Sequence, residues 1–208
     1  LMCAIFGSWD KDKFYELAKL NSYRGSHSYS IAYYDRKKVV LLTQGFGEFP
    51  EVDLDKNYYY IGHVQAPTTD SKDESSIHPA NDMGDYLWHN GIIKDYQIKV
   101  WQSAWDKDWT WDTKWLLHLI NAGDIEGTLS EADGSFACLW YGKYNPSIHL
   151  FRNDNCPMFI NGHDFSSTKF DDAESIESGQ FYSYNMKDGW VKDKRTFKTK
   201  NKFYWSAG

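Results

Sequence analysis

The sequence predicts an α+β domain made of two sheets and a few helices, on three observations. Short apolar runs of strand length recur along most of the chain, separated by turn residues. Only two stretches carry apolar residues at helical spacing, residues 10–20 and the stretch that starts at Thr110. At 208 residues the chain is long enough for one sizeable core, and no linker, repeat or low-complexity segment divides it, so residues 1–208 read as a single domain.

The elements follow in chain order. Residues 3–7 form a short buried strand, and residues 10–20 a helix with Phe14, Leu17 and Ala18 on one face and Asp residues near its start. A Ser/Gly-rich loop over residues 21–28 leads into a hairpin, with strand 29–34, turn 35–38 and strand 39–43. Residues 58–64 are another apolar strand, after which the Thr, Asp, Ser, Lys and Pro content of residues 65–82 marks an exposed loop. A strand over residues 86–89 runs into Asn90-Gly91, a pair that favours a sharp turn. In the second helix Trp115, Leu116, Leu119 and Ile120 share a face; Thr110 or Asp112 can cap its start and Gly123 can end it. Strands resume at residues 136–141, 148–152, 158–160 and 181–185, with turns at 143–146 and 187–189, and the Lys-rich run near residues 194–202 reads as a solvated tail.

Composition excludes several function classes. The net charge is −6, from 23 Lys and Arg against 29 Asp and Glu, so neither nucleic acid nor an anionic membrane surface is an expected partner. No apolar stretch approaches the roughly 20 residues that span a bilayer. The N-terminal apolar run is too short for a secretory signal and lacks a basic flank, which predicts a cytoplasmic protein. Cys3, Cys138 and Cys156 cannot all pair and form no CxxC, and no two histidines fall at HxxxH spacing, so no disulfide framework, metal or cofactor is expected. Aromatic residues make up 18% of the chain, 10 of them Trp, and read as core and rim packing because a base-stacking surface needs a basic groove that is missing here.

The chemistry starts at the N-terminus. If Met2 and the residue before it are removed, Cys3 carries a thiol and a free α-amine on one residue. An α-amine has a pKa near 8, so it can take the thiol proton at neutral pH, directly or through a water. The competing reading makes Cys3 a small buried hydrophobe at the head of a strand.

Five ordered segments weigh on that choice: Met2-Cys3-Ala4-Ile5-Phe6-Gly7, Arg24-Gly25-Ser26, Gly62-His63-Val64-Gln65-Ala66-Pro67-Thr68, His89-Asn90-Gly91, and Asp112-Thr113 at a helix start. Looser echoes follow at Gly134-Ser135-Phe136-Ala137 and at Phe151-Arg152-Asn153 with Pro157. Together they resemble the glutamine-hydrolysing domain of class II glutamine amidotransferases, members of the N-terminal-nucleophile hydrolases. The similarity covers about residues 2–190, leaving 191–208 as a C-terminal tail.

The resemblance implies a four-layer αββα sandwich, two face-to-face antiparallel sheets flanked by helices. It implies that Cys3 attacks the glutamine side-chain amide to form a thioester that water hydrolyses. The Asn90 side chain and Gly91 N–H then supply the oxyanion donors. It makes Arg24, Gln65, Thr68 and Asp112 the substrate-binding positions, with Asp112 on the α-ammonium and Arg24 at the rim. Taken alone, Asn90-Gly91 also reads as a hairpin turn, Asp112 as a helix cap and Arg24 as a surface residue. His63, His78 and His89 are expected to be structural, since this mechanism needs no imidazole.

Two departures stand out. Gln65 occupies the position of an arginine that grips the substrate α-carboxylate, and a neutral amide replaces a bidentate guanidinium only weakly. Class II domains are also commonly fused to one that consumes the ammonia, whereas this match fills the chain, which points to a separate ammonia-accepting protein. The expected function is glutamine-type amide hydrolysis with an N-terminal cysteine. Its alternatives are hydrolysis of a different amide, or a catalytically silent binding module of the same fold.

Overall fold

The computed structural model describes residues 3–55, 58–66 and 76–199. Its described elements alternate between strands and helices in a way the buried residues explain. Strand β1 (Ala4–Ser8) is buried throughout and is followed by helix α1 (Lys11–Asn21), whose N-cap Asp10 accepts the Lys13 N–H at 2.8 Å. Strands β2 (Ser28–Tyr34) and β3 (Val39–Phe46) form the expected hairpin, and β4 (Tyr59–Gln65) is again fully buried. Then come β5 (Ala80–Asp82), β6 (Asp85–Ile93), helices α2 (Asp95–Trp105), α3 (Asp112–Ala122) and α4 (Ile125–Glu131), β7 (Gly134–Gly142) and β8 (Ser147–Arg152). The last stretch holds β9 (Phe159–Asn161), β10 (Asp164–Ser166), β11 (Glu174–Ser175), β12 (Gln180–Asn185) and β13 (Gly189–Thr196).

These strands make two antiparallel sheets, ordered β11-β9-β10-β1-β4-β2-β3 and β13-β12-β8-β7-β6-β5. Side-chain alternation divides the core into three slabs. Ala4, Phe6, Ile31, Tyr60 and Val64 turn to α1, where they meet Phe14, Leu17 and Ala18. Ile5, Ala32, Tyr59 and Ile61 turn the other way, onto Trp88, Ala137, Leu139 and Leu150 of the second sheet. Leu87, Phe136, Cys138 and Phe151 face outward again, under Trp101, Trp115, Leu116 and Leu129 of the helices. Three slabs separate four layers, and the αββα sandwich implied by the resemblance is what the chain forms. Tyr59 anchors the central slab: it donates to the His163 carbonyl at 2.5 Å and accepts from Trp190 Nε1 at 3.1 Å.

Four expectations are corrected. Asn90-Gly91 is not a turn: β6 runs straight through it, with Asn90 opposite Ala137 and Gly91 opposite Phe136. Residues 65–82 are not wholly an exposed loop, because Gln65 ends β4, Ile77 and Ala80 are buried and β5 pairs with β6; residues 67–75 lie outside the described residues. The tail does not start at residue 191, since β13 runs to Thr196 along the edge of the second sheet and Phe197 is buried. Trp111, not Thr110 or Asp112, is the N-cap of α3. No helix among the described residues is long and apolar enough to cross a membrane.

His149, on β8, makes the fold sensitive to acid. Its Nδ1 meets Ser183 Oγ at 3.1 Å, and that hydroxyl donates to Asp193 at 2.8 Å. Burial drives its pKa from 6.5 down to about 4, against the upward pull of Asp193. The unfolded chain therefore binds a proton between pH 6.5 and 4 that the folded chain refuses. This contribution is whole above pH 6.5 and is lost as pH falls toward 4, a swing of about 3 kcal/mol. Urea midpoints measured across that window should fall more steeply for the wild type than for His149→Gln. Equal slopes would assign the acid sensitivity to other groups.

Candidate active site

Cys3 is half-buried and sits immediately before β1, at one end of the sandwich. Ala4 pairs with Val64, so the register brings Cys3 level with Gln65. By alternation both belong to the face that looks toward the second sheet. Gln65 is fully buried. Its Oε1 accepts the Ser28 hydroxyl at 2.5 Å, and its Nε2 has no hydrogen-bond partner among the described residues. The loop that follows α1 is pressed against the same strand end. A Cβ at Gly25 would lie 2.3 Å from the Gln65 carbonyl carbon, and the His27 N–H bonds the Gln65 carbonyl at 3.0 Å, so only glycine allows this approach.

That contact fixes Arg24. Its Nε donates to Thr168 Oγ1 at 2.7 Å and to the Tyr23 hydroxyl at 3.2 Å, and a terminal nitrogen reaches the Ser167 carbonyl at 3.4 Å. The sequence reading missed residues 166–168 altogether. Ser166 Oγ accepts the Asn21 amide at 2.8 Å, tying α1 to β10. Ser167 Oγ accepts the Ile5 N–H at 2.9 Å, donates to the Ile5 carbonyl at 3.2 Å and meets the Asn90 Nδ2 at 3.5 Å. A polar run after Phe165 has no period to betray it, and its partners lie up to 162 positions away.

Asn90 approaches from the second sheet and is buried. Its carbonyl accepts the Cys156 thiol at 3.1 Å. Burial pushes that thiol up to about 12, Cys3 adds to the rise, and Arg24 and Arg152 oppose it. Cys156 thus keeps its proton, and it lies within electrostatic reach of both Cys3 and Arg24. The next residue, Gly91, has φ +133°, and a Cβ there would lie 2.1 Å from the Ser135 carbonyl oxygen, so no larger residue fits. Phe136, opposite Gly91, spends both backbone groups on Asn153, at 3.2 and 3.0 Å. Gly91 therefore belongs to a non-hydrogen-bonded pair, and its N–H turns away from β7.

On that open side the Asp112 carboxylate accepts the Ile93 N–H at 3.1 Å and the Thr113 N–H at 2.8 Å. Asp112 thus steadies both the start of α3 and the end of β6. The motif echoes are also explained. Ser135 Oγ accepts the Ile92 N–H at 3.1 Å, and Asn153 Nδ2 donates to the Gly134 carbonyl at 2.8 Å. Arg152 holds the Cys156 loop through the Asn153 and Cys156 carbonyls, at 3.1 and 3.4 Å.

The three histidines form a buried chain. His63 stacks on His78 at 3.8 Å between ring centroids, and His78 Nε2 meets Thr113 Oγ1 at 3.3 Å. The same hydroxyl meets His89 Nδ1 at 3.1 Å, and His89 Nε2 reaches the Ser135 carbonyl at 3.1 Å. A carbonyl only accepts, so His89 carries a proton on Nε2, and the Thr113 hydroxyl also donates to Asp112 Oδ1 at 3.4 Å. This chain braces β6 against α3. Thr68 lies outside the described residues, as do Leu1 and Met2. No group of metal-ligating side chains occurs among the described residues.

No family model and no curated protein matches this chain. Solved structures do. The glutamine phosphoribosylpyrophosphate amidotransferase of B. subtilis, complexed with ADP and GMP, is 20% identical, with a TM-score of 0.68 over 92% of this chain and 49% of that one. A structure described as the allosteric regulatory enzyme of purine biosynthesis is 21% identical, with a TM-score of 0.70 over 92% of this chain and 48% of that one. The chain spans about half the length of these solved chains. At such identities the likeness is one of fold: this chain shares the two-sheet α+β sandwich of these structures, the architecture that the resemblance to class II glutamine amidotransferases implies.

Proposed function

We propose that this chain hydrolyses the side-chain amide of glutamine through Cys3, once removal of Leu1 and Met2 frees its α-amine. The observation that carries the reading is that the strand headed by Cys3 meets the Asn90 side chain at Ser167, beside a Gly91 N–H turned away from its own sheet. The α-amine takes the thiol proton and the sulfur attacks the amide carbon. Negative charge gathers on the former carbonyl oxygen, where the Asn90 amide and Gly91 N–H receive it. The C–N bond breaks as the proton passes to the leaving nitrogen, and ammonia departs. Water then attacks the thioester, and glutamate leaves with the thiol restored.

Arg24 and Asp112 stand for the substrate carboxylate and ammonium in this reading, and Thr68 completes the contacts. The ammonia passes to a separate acceptor protein. No disulfide forms among the described residues, which fits the cytoplasm as the proposed compartment.

One observation favours a second reading, hydrolysis of a different amide. Gln65, level with Cys3, offers a neutral buried N–H donor where the resemblance implies a guanidinium. Such a donor satisfies a carbonyl oxygen but leaves the charge of a buried carboxylate uncompensated. On this reading glutamine and its α-amide show similar KM. A tenfold or greater preference for free glutamine would show that another cation already holds the carboxylate, and would remove the second reading.

Protein beginning at Cys3 should release ammonia from glutamine, and Cys3→Ser should slow it by orders of magnitude with the fold intact. Protein shown by mass to retain Leu1 and Met2 should be nearly inactive. Full activity in that form, or in Cys3→Ser, would refute an N-terminal cysteine mechanism and favour a silent binding module or another nucleophile.

Asn90→Ala should lower kcat about 100- to 1000-fold with little change in KM, because an oxyanion donor acts mainly in the transition state. A purely structural Asn90 would instead show lost stability and near-normal turnover per folded molecule.

A further inference from the structure

Residues 166–168 lie outside every motif that the resemblance supplies, yet each of their hydroxyls reaches a different part of the site. Ser166 reaches Asn21, Thr168 reaches Arg24, and Ser167 reaches both Ile5 and Asn90. Ser167 is fully buried, and its hydroxyl has no capacity to spare. One O–H and two lone pairs serve the Ile5 carbonyl, the Ile5 N–H and the Asn90 amide. Pairing with β1 does not need the Asn90 contact, because the Ser167 N–H already bonds the Ile5 carbonyl at 2.9 Å. The hydroxyl therefore adds a polar tie from the strand that carries Cys3, in the first sheet, to the oxyanion donor in the second.

An amide nitrogen carries two N–H bonds in a fixed plane. Ser167 takes one, at 3.5 Å, which sets the direction of the other. The backbone of Asn90 is held independently, by the Cys156 thiol at its carbonyl. We propose that Ser167 is a positioning residue: by holding one Asn90 N–H against the strand of the nucleophile, it aims the second N–H at the oxyanion formed on Cys3. The inference rests on the amidohydrolase reading above, with Asn90 as an oxyanion donor.

The test uses the full chain with Cys3 exposed, as wild type, Ser167→Ala, Asn90→Ala and the double variant. Two measurements accompany glutamine turnover. One is the affinity for glutamate γ-semialdehyde, whose carbonyl carbon takes the Cys3 sulfur and whose oxygen takes the thiol proton, giving a tetrahedral adduct. The other is the affinity for glutamate, which stays planar at that carbon. Ser167→Ala should lower kcat about 10- to 100-fold, the usual effect of removing a group that orients a reacting one, with KM within about threefold. It should weaken the aldehyde by a similar factor and leave glutamate unchanged. In the Asn90→Ala background the same substitution should cost less than about threefold, since a residue acting through Asn90 has nothing left to aim.

An equal loss with and without the Asn90 amide, an equal loss for aldehyde and glutamate, or normal turnover would each overturn the inference. If Ser167→Ala does not fold, Ser167→Cys keeps the volume with only a weak S–H donor and carries the same comparisons. A wild type that neither turns over glutamine nor binds the aldehyde would refute the amidohydrolase reading itself, and this inference with it.

Discussion

Strand β1 is the constraint on which the rest depends. Hydrogen-bonded to β4 on one edge and β10 on the other, and covered by α1 on one face and the second sheet on the other, it has no freedom to shift. A slip of one residue would send Ile5 toward the helix and Ala4 and Phe6 into the inter-sheet core. Cys3 inherits its position from that strand. The one-residue catalytic role proposed for Cys3 needs such a foundation, because an α-amine and thiol on one residue have no second element to orient them.

Around the end of β1 the packing changes from apolar to polar. Asn90, Gln65, Ser28, Ser166, Ser167 and the three histidines are all buried, yet they gather within a few residues of one end of the sandwich rather than through its core. Buried polar groups are costly unless satisfied, and here most are paired across elements far apart in sequence. The same pairing makes the end rigid. The Nε2 of Gln65 stands apart from this pattern, a buried donor that the described residues leave unpaired at the level of the cysteine.

Glycine matters at two places, both because backbone must touch backbone. Gly25 lets the Arg24 loop lie on the end of β4, and Gly91 lets β6 pass Ser135 with its N–H turned outward. Either position with a side chain would push a neighbouring residue outward, Arg24 in the first case and Asn90 in the second.

The sequence by itself determined the nucleophile candidate, the strands with continuous apolar runs and the two helices with strong periodic faces. Those features are local, because a strand buried on both faces must be apolar at every position, as β1 and β4 nearly are. It missed α2 and α4, which bury only two residues and one, and β13, an edge strand that carries its charges outward. It read Asn90-Gly91 as a turn because that dipeptide favours one locally; pairing of β6 with β7 on one side and the clamp of Asp112 on Ile93 override the preference. Only the tertiary structure decided that Ser167, Cys156 and Asn90 meet near Cys3. Their partners lie 66 to 162 positions apart, and hydrogen bonds over such separations leave no period or spacing in the chain.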